Sequence, residues 1–249
     1  MNICNFSTVF ITIFICIFST KAAANKLTVV TEELSFFQYY HNGEVEGYAV
    51  DVINALSELA KEHVDIQILP WARAFHIATH QPNVMIFSIA HSKNRDKSFI
   101  WGDILHNEQL HFWGIKNDNK TSPYTIKKND IFAASRNSVG LEYLKGNEFK
   151  HINIVNTQTQ NLLLLYKERV DFIISGEFSI KNRVNKLNLD GAKLIKIPSK
   201  ITMIQKLYFA FSLGTDPYII KKYQNAYNTL VGNNKLTEIK KKWGVFDIN

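Results

Sequence analysis

The sequence predicts a two-lobed α/β protein, on three observations. Short apolar segments suited to buried strands alternate with segments whose apolar residues recur at helical spacing, the pattern of a parallel sheet covered by helices. The alternation runs through two successive series, the second beginning after Gly114, with no low-complexity linker and no short internal repeat. The chain has 249 residues, 46% of them hydrophobic and 20% charged, so it can build two cores and is neither disordered, collagen-like nor a polytopic membrane protein.

Residues 9–18 (VFITIFICIF) form an apolar run broken only by Thr12. As a helix they would span about 15 Å, roughly half the hydrocarbon core of a bilayer. Ala22, Ala23 and Ala24 follow, small residues of the kind a signal peptidase accepts. Residues 1–24 are therefore expected to be a secretory signal peptide cleaved before Asn25, with an uncleaved anchor as the alternative because no Lys or Arg precedes the run. Both cysteines, Cys4 and Cys16, lie in this segment. The rest of the chain has no thiol, which excludes cysteine catalysis and disulfide stapling.

In the first series, residues 27–31 (LTVVT) predict a buried strand. Residues 49–64 carry Val52, Ile53, Leu56, Leu59 and Ala60 on one helical face, with Asp51 in the first turn, where negative charge is favoured. A strand at 66–69, a helix at 71–80 and a strand at 84–88 complete it. The second series predicts strands at 131–134, 152–155, 172–174 and 194–197. Its helices are expected at 138–144, with Ser138 as cap, at 158–169 and at 180–187. A strand at 207–211 and helices at 217–231 and 236–243 close the chain, Pro217 standing at a helix start where its missing N–H is harmless.

The net charge of +7 by itself fits an anionic partner or none. The densest cationic run, Lys240 to Lys242, ends the last helix and complements its dipole, so no nucleic-acid patch is expected. Nucleophile-elbow, phosphate-loop and dinucleotide fingerprints are absent from the sequence. His76 and His80 share a helical face but lack a third ligand nearby, and His106 and His111, five apart, would face opposite sides of a strand. No catalytic residue, metal or cofactor is therefore assigned. What remains lies at strand ends, where open α/β sheets bind ligands: the Phe36-Phe37-Gln38-Tyr39-Tyr40 stretch, Arg95, Glu177 and the helix N-terminus at Ser138. An Arg, a carboxylate, a helix N-terminus and an aromatic wall match a zwitterionic small molecule. Plain surface charge is the competing reading for Arg95 and Glu177.

Four segments, in order, resemble bacterial periplasmic solute-binding proteins of the family that serves polar amino-acid ABC transporters (family 3). They are LTVVTEELSFFQYYHNGEVEGYAVDVINAL, PWARAFHIA, FSIAHSKNRDKSFIWGDIL and LYFAFSLGTDPYIIKKYQNAYNTLVGNNKLTEIKKKWG, the second being similar to the Pro-Trp-x-Arg-Ala signature of one branch. The resemblance implies a type II two-lobed clamshell with two chain crossovers, near 110–114 and 207–211. Residues 25–111 and 210–249 would form the first lobe and 112–209 the second. It implies a monomer that binds a small-molecule ligand, an amino acid or small carboxylate, and hands it to an ABC permease or a membrane sensor in the periplasm. Position by position, Arg95 matches the arginine that grips the ligand carboxylate, Ser88 matches a polar cleft position, and Ser138 matches the second-lobe helix N-terminus that also meets the carboxylate, with Asn137 beside it in place of a usual Gly. Phe37 and Gln38 match the loop after the first strand. Trp71 and Arg73 belong to the branch signature, Arg73 either lining the cleft or bridging elements. Gly176 stands where the family often carries an acid for the ligand ammonium, with Glu177 adjacent. A periplasmic dehydratase on the same scaffold is the enzymatic alternative, with Glu177 as its acid or base.

Overall fold

The computed structural model describes residues 26–116, 125–199 and 203–245; the expected signal peptide lies outside them. The first lobe opens with β1 (Thr28–Thr31), a hairpin of β2 (Tyr39–His41) and β3 (Glu44–Glu46), α1 (Tyr48–Ala60), β4 (Ile66–Ile68), α2 (Trp71–His80) and β5 (Val84–Ala90). The long β6 (Phe99–Ile115) leads into β7 (Ile131–Ser135), α3 (Val139–Gly146), β8 (His151–Val155), α4 (Gln158–Tyr166), β9 (Phe172–Gly176), α5 (Glu177–Lys186) and β10 (Leu194–Ile197). The long β11 (Met203–Ser212) returns the chain, and α6 (Pro217–Gly232) and α7 (Lys235–Trp243) close it.

The strands join in the order β4-β1-β5-β11-β6-β9-β7-β8, with β10 also on β6. The βαβ units pair in parallel, β1 with β4 and β5, β7 with β8 and β9. β6 and β11 run antiparallel to their neighbours and belong to both lobes. Between the lobes, residues 107–109 of β6 face 204–206 of β11, a two-stranded ribbon over which the chain passes twice.

Period-two alternation divides each lobe into two cores. Val29, Phe87, Phe209 and Phe211 face α1, α6 and α7, while Val30, Ile86 and Ala210 face α2. In the second lobe Phe132 and Ile174 pack on α3, and Ala133 and Ile173 on α4 and α5. Local signals set the helix starts. Ser138 accepts from the Leu141 N–H, Thr157 and Gln160 form a capping box, and Asp216 caps α6 ahead of Pro217. Lys242 and Trp243 both donate to Asp51 Oδ2 at 2.7 Å, tying the cationic end of α7 to the first turn of α1.

Two elements escape the sequence reading. The β2–β3 hairpin is short and largely exposed. β6 carries Asp103, His106, Asn107, Glu108 and Gln109 in its middle, which breaks the apolar pattern because that stretch spans the gap between two cores. Packing is tight where β6 meets β11: a Cβ on Gly102 would lie 2.2 Å from Cε2 of the fully buried Phe209. Gly102→Ala is expected to cost about 2 kcal/mol by overpacking. A lower urea midpoint at unchanged slope is the expected readout, and an unchanged midpoint would show that the ring has room to move.

Candidate functional site

The cleft between the lobes encloses a narrow cavity of about 60 Å³ lined by Glu32, Trp71, Ser88 and Arg95 from the first lobe, Glu108 on the ribbon, and Ser138, Asn161, Ser179 and Arg183 from the second. The cavity is small, so only a small polar molecule fits the closed form and a large one requires opening.

Strand ends place these groups. Glu32 directly follows β1. Ser88 has φ 54° and occupies the irregularity where β5 pairs with Phe209 and Tyr208 of β11, a bulge that turns its side chain into the cleft. Its hydroxyl donates to Gln38 Oε1 at 2.9 Å. Asn137 has φ 57°, a left-handed conformation Asn tolerates, and its carbonyl accepts from Trp71 Nε1 and Arg95 Nη2, each at 2.7 Å. Ser138 is half-buried in the cavity wall and spends its side chain on the α3 cap.

Arg95 lies on the cleft wall, 3% exposed, but it is engaged by protein. Nη1 donates to the Ala90 carbonyl at 3.0 Å, and Nη2 donates to the Asn137 carbonyl and to Glu142 Oε1 at 2.8 Å. Trp71 and Phe75 flank the guanidinium at 5.5 Å. Glu142 sits in the first turn of α3, so this ion pair joins the lobes. Burial pulls Arg95 below its ordinary pKa, opposed by Glu142 and Glu32.

Several expected contacts are corrected. Phe37 is a core residue, 2% exposed and stacked on His106 at 3.8 Å, because the turn after β1 folds back under α1. Gln38 is fully buried and donates to Thr31 Oγ1 at 3.1 Å, so it braces Ser88 from behind. Arg73 is exposed on the face of α2 opposite the buried Trp71 and Ala74, and is not part of the cavity wall. Asn137 contributes its carbonyl, while its residue as a whole is exposed. Glu177 opens α5 outside the cavity and bonds Lys181 at 2.6 Å and Lys196 at 3.0 Å; those bonds hold its pKa down to about 2.

Three charged cleft residues were not singled out from sequence. Glu32 has its pKa raised to about 7 by burial, against the opposing pull of Arg183 and Arg95. Glu108 accepts from Ser179 Oγ at 2.8 Å, and burial raises its pKa too, opposed by Ser179 and Arg183. Its carboxyl occupies the space a side chain at Gly176 would need: a Cβ there would lie 1.8 Å from Glu108 Cδ and Oε1. Arg183 on α5 is 3% exposed, and its Nη2 has no hydrogen-bond partner. Glu32 was visible as a strand-end acid. Glu108 was hidden in the unread β6, and Arg183 looked like one more cation on a helix.

No protein-family model matches the sequence, and no curated protein matches it. Solved structures do match its fold. The arginine-, lysine-, histidine-binding protein ArtJ from Geobacillus stearothermophilus superposes with a TM-score of 0.77 at 19% identity, over 90% of this chain and 97% of that one. A histidine kinase sensor domain with similarity to periplasmic binding proteins gives 0.76 at 16% identity, over 88% and 96%. A periplasmic His/Glu/Gln/Arg/opine family-binding protein from Silicibacter pomeroyi, in complex with lysine, gives 0.73 at 13% identity, over 90% and 99%. Likeness at these identities is likeness of fold, and the fold is the two-lobed periplasmic-binding-protein clamshell, crossed twice by its own chain.

Proposed function

We propose that this protein is a non-catalytic periplasmic receptor that traps an amino acid or similar small zwitterionic carboxylate between its lobes and delivers it to an ABC permease. The observation that carries this reading is the mixed charge of the cleft. Two guanidinia and two carboxyls, Arg95, Arg183, Glu32 and Glu108, converge on one small cavity at the lobe boundary. A ligand carrying both charges would touch both lobes at once and so favour the closed form. Residues 107–109 and 204–206 are the natural hinge, and export would depend on residues 1–24. Among the described residues no helix is long and apolar enough to cross a membrane. Chemistry through Glu177 is disfavoured, since a carboxylate held ionised by two lysines is a poor proton donor or acceptor.

A thermal-shift screen of amino acids, peptides and carboxylates tests the reading. A ligand at a hundredfold excess over its Kd stabilises by about 2.7 kcal/mol, which raises Tm by about 5–10 °C for a chain of this size. Turnover of any ligand by the purified protein would overturn it in favour of an enzyme. A second reading, a ligand-sensing partner of a membrane signalling protein, is favoured by the fold shared with a kinase sensor domain.

Glu108 supplies, from β6, the acid that the resembled family often carries where this chain has Gly176. Glu108→Ala is expected to weaken binding of the screened ligand about thirtyfold, the loss of one charge-assisted bond. Adding Gly176→Asp, which returns an acid to the vacated space, is expected to recover most of it. Calorimetry on the two variants checks both steps, and failure of the second would show that the acid must come from β6.

A further inference from the structure

Resting on the receptor reading above, we infer that Arg183, and not Arg95, is the guanidinium that receives the ligand's carboxylate, with the ligand's ammonium set against Glu32 and Glu108. Arg95 serves instead with Glu142 as a clasp between the lobes.

The two arginines differ in what they already hold. Arg95 donates to three protein acceptors, spends both Nη2 hydrogens on them, and has aromatic rings 5.5 Å from its guanidinium carbon. A ligand carboxylate could reach its Nη2 only by displacing Glu142, exchanging one carboxylate for another with little net gain. Arg183 is as deeply buried, lines the same cavity, and leaves Nη2 without an acceptor. A buried guanidinium lacking a hydrogen-bonded counter-ion is unfavourable in the empty protein, so a carboxylate arriving there relieves a penalty as well as making a bond. Its planar fork suits that group.

The surrounding charges agree. Glu32, Glu108 and Glu33 all act on Arg183 through space, yet Glu108 spends Oε1 on Ser179, one helical turn before Arg183, and Glu33 pairs with Lys186. The cavity thus holds an unengaged cation flanked by acids, which is complementary to a carboxylate and an ammonium carried on the same carbon. The Arg95–Glu142 pair, with the Trp71 N–H on the Asn137 carbonyl, instead ties one lobe to the other.

The experiment uses the purified protein with the twenty proteinogenic L-amino acids, then the best binder and its carboxamide, by calorimetry. Wild type is expected to prefer the carboxylate over the carboxamide by about a hundredfold. Arg183→Gln should lose about a hundredfold in affinity for the amino acid and bring the two compounds within about threefold. Arg95→Gln and Glu142→Gln should each cost less than about tenfold and keep the discrimination. Both should also widen the unliganded protein in small-angle scattering, since the clasp is broken. Should Arg183→Gln lack a cooperative melt, Arg183→Lys, which keeps the charge and loses the fork, is expected to cost at least tenfold. Arg183 variants that retain both affinity and discrimination while Arg95→Gln abolishes them would overturn the inference and leave the receptor reading standing. A wild type that binds none of the twenty would overturn the amino-acid assignment itself, and this inference with it.

Discussion

Gly47→Ala is expected to destabilise the protein by about 3 kcal/mol, well beyond an ordinary glycine substitution. Gly47 precedes α1 with φ 135°, and a Cβ there would lie 2.3 Å from the Phe37 carbonyl oxygen and 2.8 Å from the Gln38 nitrogen. These are backbone atoms, and the same stretch is pinned to α1 by the Tyr48 N–H on the Phe36 carbonyl at 3.2 Å and the Ala49 N–H on the Phe37 carbonyl at 2.8 Å. The clash therefore cannot be relieved by a rotamer change. It would displace Gln38, which holds Ser88 in the cleft wall, so affinity should fall along with stability. Gly43→Ala is the control: its φ is 87°, but nothing lies within 4 Å of a Cβ, leaving only left-handed strain of about 1–2 kcal/mol. Equal urea midpoints for the two variants would sink the claim that the contact at Gly47 matters.

One buried group and one half-buried group should give the pH profile opposing slopes. His106 is 3% exposed, neither ring nitrogen has a partner, and burial beside Phe37 and Tyr48, with Lys240 nearby, pushes its pKa down to about 3. Because the unfolded chain binds this proton more tightly, the stability associated with neutral His106 is full above pH 6.5 and drains away as pH falls toward 3. Glu32, facing Arg183 on α5 and Arg95 before β6, is displaced the other way, to about 7. Its contribution is full below pH 4.5 and is lost as pH rises to 7. Between pH 4.5 and 6.5 the two oppose each other. Relative to wild type, His106→Leu should become more stable by about 2–3 kcal/mol as pH is lowered across that window. Glu32→Gln should become less stable by about 2 kcal/mol, a figure reduced for its partial exposure. Chemical denaturation at pH 4.5, 5.5 and 6.5 checks both, and parallel profiles for the three proteins would refute the burial argument.

Much of the fold was legible in the residues because the forces that make single elements are local. Helical spacing in 49–64, the Ser138 cap, Pro217 and the apolar strand runs each act within a few residues, and the corresponding elements lie where those signals put them, with ends shifted by a few residues. Segments buried against one core read clearly; β6, shared between two cores and polar at the crossing, did not. The site was only partly legible. Ser88, Trp71, Arg95 and Ser138 do line the cleft, since position at a strand or helix end carries through to the folded lobe. Sequence could not say that Glu142 reaches Arg95 across the gap, that Glu108 fills the space beside Gly176, or that Arg183 lies buried without an acceptor for Nη2. Those facts depend on how two lobes meet, a distance between residues far apart in the chain. Local propensity carries no information about that distance, and only the packed structure decides which charges are paired and which are left for a ligand.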